Sequence, residues 1–247
     1  MASLASLRSL ANGLISVVLS PECVVCRTPL DDALSGPVCR GCWHGIGEFV
    51  PPLCRQCGEP LRSWRKVSLA EARCPRCRRR DSALSHARAI GPHDGPLKGI
   101  VQALKYHHCA SLAAGLGDRM RRAGPDLLAP CDVVVPVPLH PRRQRARGFN
   151  QAELLANALG PPVLLALKRR RGTQSQTGLP AARRHANVRQ AFALRRNVGV
   201  DGLRVLLVDD VCTTGATVEA CARVLRQAGA ADVSVLTAAR AVARQPE

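Results

Sequence analysis

Val205-Leu-Leu-Val-Asp-Asp-Val-Cys-Thr-Thr-Gly-Ala-Thr-Val218 decides the fold of this chain and indicates its ligand. The apolar run 205–208 predicts a buried strand, and the carboxylates of Asp209 and Asp210 follow at its carboxyl end. Carboxylates accept charge-assisted hydrogen bonds from the vicinal hydroxyls of a ribose. The small residues that follow predict a phosphate site, because their backbone N–H groups lie at the positive end of the next helix. They are Thr213, Thr214, Gly215, Ala216 and Thr217.

The same turn has a simpler interpretation as a strand-turn-helix connection, in which Asp and Thr form the turn and cap the helix. Two adjacent acids before Thr-Thr-Gly-Ala-Thr exceed what such a cap requires. The stretch resembles the 5-phosphoribosyl-1-pyrophosphate (PRPP) binding motif of type I phosphoribosyltransferases. We therefore favour a phosphoribosyl ligand for this loop.

The composition of the chain predicts two domains and a polyanionic partner. Its 247 residues exceed one ordinary domain of about 100 to 150 residues. The formal charge is +18, and Arg supplies most of the positive side chains. The alternative to a polyanionic partner is that the Arg content reflects a coding bias and that the excess charge is simply solvated. Aromatic residues are 2% of the chain, so we expect any DNA contact to depend on phosphates and to be sensitive to salt.

Residues 1–20 predict an amphipathic N-terminal helix that packs on the body of the protein or, as the alternative, on a membrane surface. Apolar residues recur at helical spacing before Pro21, namely Leu4, Leu7, Leu10, Leu14 and Val18. A weak secretory signal is a less favoured interpretation. No apolar run reaches the about 18 residues of a transmembrane helix. We expect a cytoplasmic protein, with peripheral contact at the inner face of the membrane as the alternative.

Eight of the twelve cysteines form four C-x2-C pairs within residues 21–80. A two-residue gap directs both sulfurs at one tetrahedral ion, and two such pairs complete a structural zinc site. Two structural Zn2+ ions in a double zinc ribbon are therefore predicted. If successive pairs bind the same ion, the loops between them are shorter than in an interleaved arrangement. Both arrangements remain possible from the sequence. The pairs are Cys23 and Cys26, Cys39 and Cys42, Cys54 and Cys57, and Cys74 and Cys77.

Disulfides or redox-active dithiols are the alternative for these pairs. The segment has little apolar periodicity and is rich in Pro, Gly and Arg. Metal binding must therefore supply much of its folding free energy, as a four-thiolate zinc site does. We expect a structural or partner-binding role for this segment.

Residues 85–247 alternate strands with helices, which predicts a doubly wound α/β domain with a parallel sheet. Ligands of such a domain bind at the carboxyl ends of its strands. Gly160 and Gly229 lie where two of the helices should end. The predicted strands span 86–90, 132–137, 163–167, 205–208 and 232–237, and the predicted helices span 97–105, 150–159 and a segment that ends at 228.

A basic segment, 135–151, follows the predicted strand 132–137. Its Pro-stiffened turn leads to Asn150, which is suited to cap the next helix. The arginines of the turn predict a pyrophosphate site, because guanidinium groups bind such anions bidentately. A solvated basic loop is the alternative. The arginines are Arg142, Arg143, Arg145 and Arg147.

Residues 169–200 form a second polar segment, with almost no apolar periodicity. A structureless insertion of this length is usually functional or disordered. We predict a mobile lid that closes over the ligand and brings Arg183 or Arg184 to a phosphate, with plain disorder as the alternative.

Several motifs together resemble the ComF family. They are the four cysteine pairs, Lys105-Tyr106, the Val-Pro-Val-Pro-Leu-His-Pro segment ending at Arg147-Gly-Phe-Asn-Gln151, the segment 176–192 and the Asp-Asp loop. That family looks like a zinc ribbon module joined to a type I phosphoribosyltransferase domain, and some members are linked to DNA uptake during natural transformation. The chain departs from the family after Lys105-Tyr106, where His-His-Cys-Ala replaces a basic residue, Gly and Asp.

The resemblance implies roles for individual residues. Asp209 and Asp210 would be the catalytic pair and bind the ribose hydroxyls, directly or through Mg2+. The loop 213–217 would hold the 5-phosphate, and the turn 136–143 would face pyrophosphate. Cations and Mg2+ would stabilise the departing pyrophosphate as the anomeric carbon becomes oxocarbenium-like. The cationic candidates are Lys105, Arg142, Arg143, Arg183 and Arg184.

Three functional hypotheses follow from these features. The favoured one is a PRPP-binding phosphoribosyltransferase with an unspecified acceptor. The second is a factor that binds single-stranded DNA through its basic lid and zinc ribbons. The third is a zinc-stabilised adaptor that docks to proteins of the DNA-uptake machinery.

Overall fold

The computed structural model describes residues 20–61, 72–106, 109–170 and 191–242. The predicted N-terminal helix, apart from its last residue, lies outside these ranges, as does most of the predicted lid with Arg183 and Arg184. After residue 85 the described part of the chain contains both strands and helices, as the sequence predicts, although three helices lie between the first two strands.

The helices are α1 (Arg40–His44), α2 (Pro75–Arg78), α3 (Gly95–Tyr106), α4 (Leu112–Ala123), α5 (Pro125–Leu128), α6 (Pro141–Arg147), α7 (Gln151–Asn157) and α8 (Ala216–Gln227), with a 3-10 turn at Ala33–Ser35. The strands are β1 (Ala87–Pro92), β2 (Val133–Pro136), β3 (Leu167–Arg169), β4 (Phe192–Leu194), β5 (Arg204–Cys212) and β6 (Asp232–Arg240).

Four strands form a parallel sheet in the order β1-β6-β5-β2. The predicted strand 163–167 is wrong in extent, because only Val163 forms a parallel bridge, to Val134. After Val163 the chain leaves the edge of the sheet formed by β2, and β3 then pairs with β4 in an antiparallel ladder. Ala166 and Leu167 are buried in one core cluster together with Phe192 of β4, and this burial favours the departure.

Both faces of the sheet are covered, which makes the fold a parallel sheet flanked by helices. Side chains alternate along β5, so Leu206 and Val208 pack on one face while Val205 and Leu207 pack on the other. Helices α3, α4 and α7 contribute to the first face, and α8 with β3 and β4 contributes to the second. Burial on both faces explains why β5 begins as an unbroken apolar run.

The N-terminal cysteine-rich segment packs closely on α3 and α4. A Cβ at Gly99 would lie 2.7 Å from Val25 Cγ1, and a Cβ at Gly115 would lie 2.9 Å from Trp43 Cη2. The Arg119 guanidinium lies 5.5 Å from the centroid of the Trp43 ring and donates to the Trp43 carbonyl over 2.6 Å. Glycines on the helices therefore make room for the side chains of this segment.

The same segment also approaches the backbone of β1. The Phe49 N–H donates to the Ile90 carbonyl over 2.8 Å. A Cβ at Gly91 would lie 1.8 Å from the Gly47 carbonyl oxygen, whereas a Cβ at Gly47 meets nothing within 4 Å. The two glycines thus differ in their tolerance for a methyl group, although they face each other.

Gly91→Ala should lower the free energy of unfolding by about 2 kcal/mol, because the added methyl forces two backbone segments apart. Gly47→Ala is the matched control and should change it by less than about 0.5 kcal/mol. Urea unfolding of the two variants measures the difference. Equal stabilities would contradict the contact between residue 47 and β1.

Candidate functional site

The two acids lie inside a long strand and not at its end. The predicted strand end at 208 is wrong, since β5 continues to Cys212. β2 ends where Pro136 pairs with Val208, whereas β6 accompanies β5 until Arg240 pairs with Cys212. Asp209 and Asp210 therefore lie beyond the end of β2, at the carboxyl edge of the sheet where α/β folds bind ligands.

Asp210 is a buried acid, only 4% exposed, and its two carboxylate oxygens differ in their hydrogen-bond partners. Its Oδ1 pairs with Lys105 Nζ over 3.0 Å. Its Oδ2 is also buried and has no hydrogen-bond partner among the residues that the structure describes. A buried carboxylate oxygen is normally satisfied, so this atom is suited to receive a hydroxyl or a cation. Lys105, a predicted pyrophosphate contact, is engaged with Asp210 in this structure.

Asp209 is half-buried and points to the opposite face of β5. Its Oδ1 accepts a hydrogen bond from the Asp210 N–H over 2.8 Å. Burial and the neighbouring Asp210 carboxylate raise the pKa of Asp209, while that hydrogen bond, Lys105 and Arg169 oppose the rise. A cation placed beside Asp209 would oppose this rise, because it would favour the ionised form.

The predicted phosphate-binding loop, residues 213–217 and named the phosphate loop below, follows β5 directly and leads into α8. Gly215 is the N-cap of α8 and has a φ of 79°, which favours glycine at this position. The Ala216 N–H donates to Thr214 Oγ1 over 3.3 Å, and Thr213 and Thr214 are exposed. The structure thus brings the two acids and the loop together on one continuous segment.

The predicted basic turn is a helix, α6. Pro141 occupies the first turn, and His140 Nδ1 accepts from the Arg142 N–H over 3.2 Å. Arg142, Arg143 and Arg145 are exposed on this helix. They therefore remain available to an anion near the end of β2.

Arg147 has partners within the protein, unlike the other arginines of α6. Its guanidinium lies 4.8 Å from the centroid of the Tyr106 ring, and it donates to Gln151 Oε1 over 3.0 Å. It thereby joins the end of α3, next to Lys105, to the start of α7. The predicted cap is confirmed, because Asn150 Oδ1 accepts from the Ala152 N–H over 3.1 Å.

Two polar residues near the acids, His93 and Arg169, were not predicted as site residues. Each has a buried nitrogen with no partner in the described residues, Nε2 of His93 and Nε of Arg169. Burial and Lys105 lower the pKa of His93. Burial and Arg143 lower the pKa of Arg169, and Asp209 opposes that shift. The sequence offered one signal for His93, which is its position directly after β1, at the carboxyl edge of the sheet.

The eight paired cysteines form two clusters of four, and the pairing is serial. In each cluster the sulfurs lie within 4.8 Å of one another, and all twelve cysteines are free. Separations of 3.6 to 3.8 Å match the about 3.8 Å between ligands of a tetrahedral ion with Zn–S bonds of about 2.3 Å. The clusters therefore fit two structural zinc sites. Cluster 1 is Cys23, Cys26, Cys39 and Cys42, and cluster 2 is Cys54, Cys57, Cys74 and Cys77.

Comparisons with known proteins identify a zinc ribbon in the N-terminal part of the chain and a phosphoribosyl transferase domain in the C-terminal part. A double zinc ribbon domain model matches residues 14–78, and a phosphoribosyl transferase domain model matches residues 145–247. Competence protein F of Haemophilus influenzae is 32% identical over 89% of this chain and 97% of its own. The chain belongs to the ComF family.

Other relatives support this assignment. DNA utilization protein YhgH of Escherichia coli K12 is 32% identical over 86% of this chain and 94% of its own. Competence protein ComFC of Bacillus subtilis is 29% identical over 90% of this chain and 87% of its own. Among solved structures, an allosteric regulatory enzyme of purine biosynthesis matches 53% of this chain and 25% of its own at 30% identity, with a TM-score of 0.36.

The resemblance to the ComF family predicted from the motifs is thus confirmed. Among the described residues, none of the helices has the length and apolar character needed to cross a membrane.

We expect the purified protein to contain two Zn2+ ions per chain, and Cys57→Ser to contain one, because a closed site needs all four thiolates. Elemental analysis after gel filtration measures the ratio. Cys131→Ser, outside both clusters, is the control and should keep two ions. A Cys57→Ser chain that retains two ions would refute the assignment of cluster 2.

Proposed function

We propose that this protein binds PRPP with Mg2+ and transfers its phosphoribosyl group to an acceptor. The main support for the proposal is the order of the carboxylates, the small-residue loop and the helix along one segment at the edge of the sheet. Two acids, one with an unpartnered buried oxygen, precede a small-residue loop at the N-terminus of a long helix. This arrangement offers acceptors for sugar hydroxyls and donors for a phosphate within a few residues.

The acids are assigned to the ribose. Asp210 Oδ2 accepts a ribose hydroxyl or contacts Mg2+, while Lys105 holds the other oxygen in place. Asp209, the next residue on the opposite face of β5, adds carboxylate oxygens to this edge of the sheet, and oxygen is the ligand type that Mg2+ prefers. Bound there, Mg2+ would neutralise oxygens of the pyrophosphate.

The loop 213–217 is assigned to the 5-phosphate. Thr213 and Thr214 are exposed, and Gly215 lacks a side chain that would hinder the approach of an anion. The dipole of α8, which runs over Ala216–Gln227, adds partial positive charge at this point. We assign hydroxyls and backbone N–H groups of the loop as donors to the phosphate oxygens.

The cationic groups are assigned to the leaving pyrophosphate. In the transfer, the bond from the anomeric carbon to pyrophosphate breaks, the electron pair leaves with pyrophosphate, and the acceptor forms the new bond. We assign exposed Arg142 and Arg143 to this developing charge, together with Arg169, which interacts electrostatically with Arg143. Arg183 and Arg184 remain proposed lid contacts. The acceptor class is left to experiment.

The names of the relatives support a role in competence or DNA utilization for this chain as well. We include proteins of the DNA-uptake machinery as proposed partners. A cytoplasmic location, with peripheral contact at the inner face of the membrane, belongs to the same proposal.

Replacing Asp209 and Asp210 together by Asn should weaken Mg2+-dependent PRPP binding at least about tenfold, because hydrogen bonds to charged groups contribute about 1.5 to 3 kcal/mol each. Calorimetric titration with PRPP, with and without Mg2+, measures this. Asp132→Asn removes a carboxylate that pairs with Arg204 at the other end of β5 and should bind PRPP normally. Unchanged affinity in the double variant would refute the site.

The transfer step is tested on the same proteins. Pyrophosphate release from PRPP, followed against a panel of bases and amines, should occur with one acceptor class and disappear in the double variant. Intact PRPP binding without release on any acceptor would favour the non-enzymatic hypothesis.

A second function, binding of single-stranded DNA, is favoured by one surface feature. Four arginines line a cleft between cluster 2 and the start of β1, beside His86. Such a cleft is suited to successive phosphates. The arginines are Arg55, Arg73, Arg78 and Arg80.

If this cleft binds DNA, the affinity for an oligonucleotide should fall with salt, and Arg73→Gln with Arg80→Gln should lower the slope of log K against log salt by about 0.7 for each lost phosphate contact. Arg121→Gln, an ion-paired arginine on α4, is the control and should leave the slope unchanged. Fluorescence anisotropy measures the binding. An intact protein that does not bind at low salt would end this hypothesis.

A further inference from the structure

Cluster 2 and the phosphate loop line one cavity. Cys57 and Arg76 contribute from the zinc ribbon, Cys212 and Gly215 contribute from the end of β5 and the loop, and Arg240 lies between the two sides. A zinc site that is separate from the ligand site in sequence is therefore next to it in space.

Arg240 is the buried cation of this cavity. It ends β6 opposite Cys212 and is 5% exposed. Its Nη1 donates to Cys212 Sγ over 3.5 Å, and its Nε has no partner in the described residues. A buried guanidinium is stable only beside compensating negative charge or full hydrogen bonding. The neutral thiol of Cys212 does not supply that charge.

Cluster 2 supplies the negative charge that compensates Arg240. Four thiolates around one Zn2+ leave a net charge of about −2. Buried Arg240 lines the same cavity as Cys57 and interacts with it electrostatically. Arg76 interacts with the same cysteine from the exposed side, where it also pairs with Glu59 over 3.5 Å. The loaded cluster thus lies between two cations, and of these Arg240 is the buried one that donates a hydrogen bond to Cys212, before the phosphate loop.

A second contact holds the zinc ribbon to the helix that follows the loop. Glu219, in the first turn of α8, accepts from the Ser82 hydroxyl over 2.6 Å and from the Ala83 N–H over 3.1 Å. Ser82 and Ala83 follow cluster 2 closely in sequence. Cluster 1 lies elsewhere, since Cys23 and Cys42 join the core of the other sheet face with α3.

We propose that Arg240 is a positioning residue that couples cluster 2 to the phosphate loop, so that zinc in cluster 2 sets the affinity of the loop for its phosphorylated ligand. The zinc-thiolate charge holds the guanidinium, and the guanidinium holds Cys212 at the base of the loop. The inference rests on the proposed PRPP site for its effect on affinity, but the electrostatic interaction between Arg240 and cluster 2 does not depend on that site.

The test compares Arg240→Met, Cys57→Ser and the double variant in the full-length protein, each purified in the presence of Zn2+. Each single change should weaken PRPP binding about tenfold, and the double variant should be no weaker than the single ones, because both changes break one chain of contacts. Arg204→Met, at the other end of β5, is the control and should bind PRPP normally. Effects that multiply in the double variant, or normal binding by Arg240→Met, would overturn the inference.

Zinc release gives a readout that is independent of PRPP. Transfer of the metal to a chromogenic chelator should be about tenfold faster from cluster 2 in Arg240→Met, and Arg240→Lys, which keeps the charge, should restore part of the difference. An unchanged release rate would overturn the inference. If the unaltered protein fails to bind PRPP, the proposed function fails, and the release rates alone decide the role of Arg240.

Discussion

The parallel pairing of β5 with β6 is the constraint on which the rest of the site depends. It carries Asp209 and Asp210 past the last residue of β2 and brings Cys212 beside Arg240. The phosphate loop begins where this pairing ends. A shift of one residue would exchange the faces to which the two acids point, and Asp210 would lose Lys105. The sheet register therefore determines the chemistry available at its edge.

The sequence predicts those parts of the fold in which local chemistry decides the outcome. The apolar run before Asp209, the C-x2-C spacing and the Asn150 cap are local signals, and the structure agrees with each. Helix α4 escaped prediction because Gly115 and Gly117 weaken its helical pattern. Both glycines are needed for distant contacts, with Trp43 2.9 Å and Ala158 Cβ 2.5 Å from where their Cβ atoms would lie.

The site was predictable in its residue types and not in its pairings. The sequence shows many cations and two acids, but the partner of Asp210 is Lys105, which lies on a different element about a hundred positions away. Arg147 resembles its neighbours on α6, yet it stacks on Tyr106. Such pairings depend on how strands and helices assemble, and a local pattern carries no information about them.

We propose that this ComF family protein binds a phosphoribosyl group at the edge of its parallel sheet, where the zinc ribbon and the phosphate loop line one cavity. A crystal structure of the zinc-loaded protein with PRPP and Mg2+ tests that claim most directly. We predict the 5-phosphate on the backbone of residues 213–217 and the ribose hydroxyls at Asp209 and Asp210. Density for the phosphates elsewhere, such as the cleft lined by Arg78 and Arg80, or a site without ligand at saturating PRPP, would contradict it.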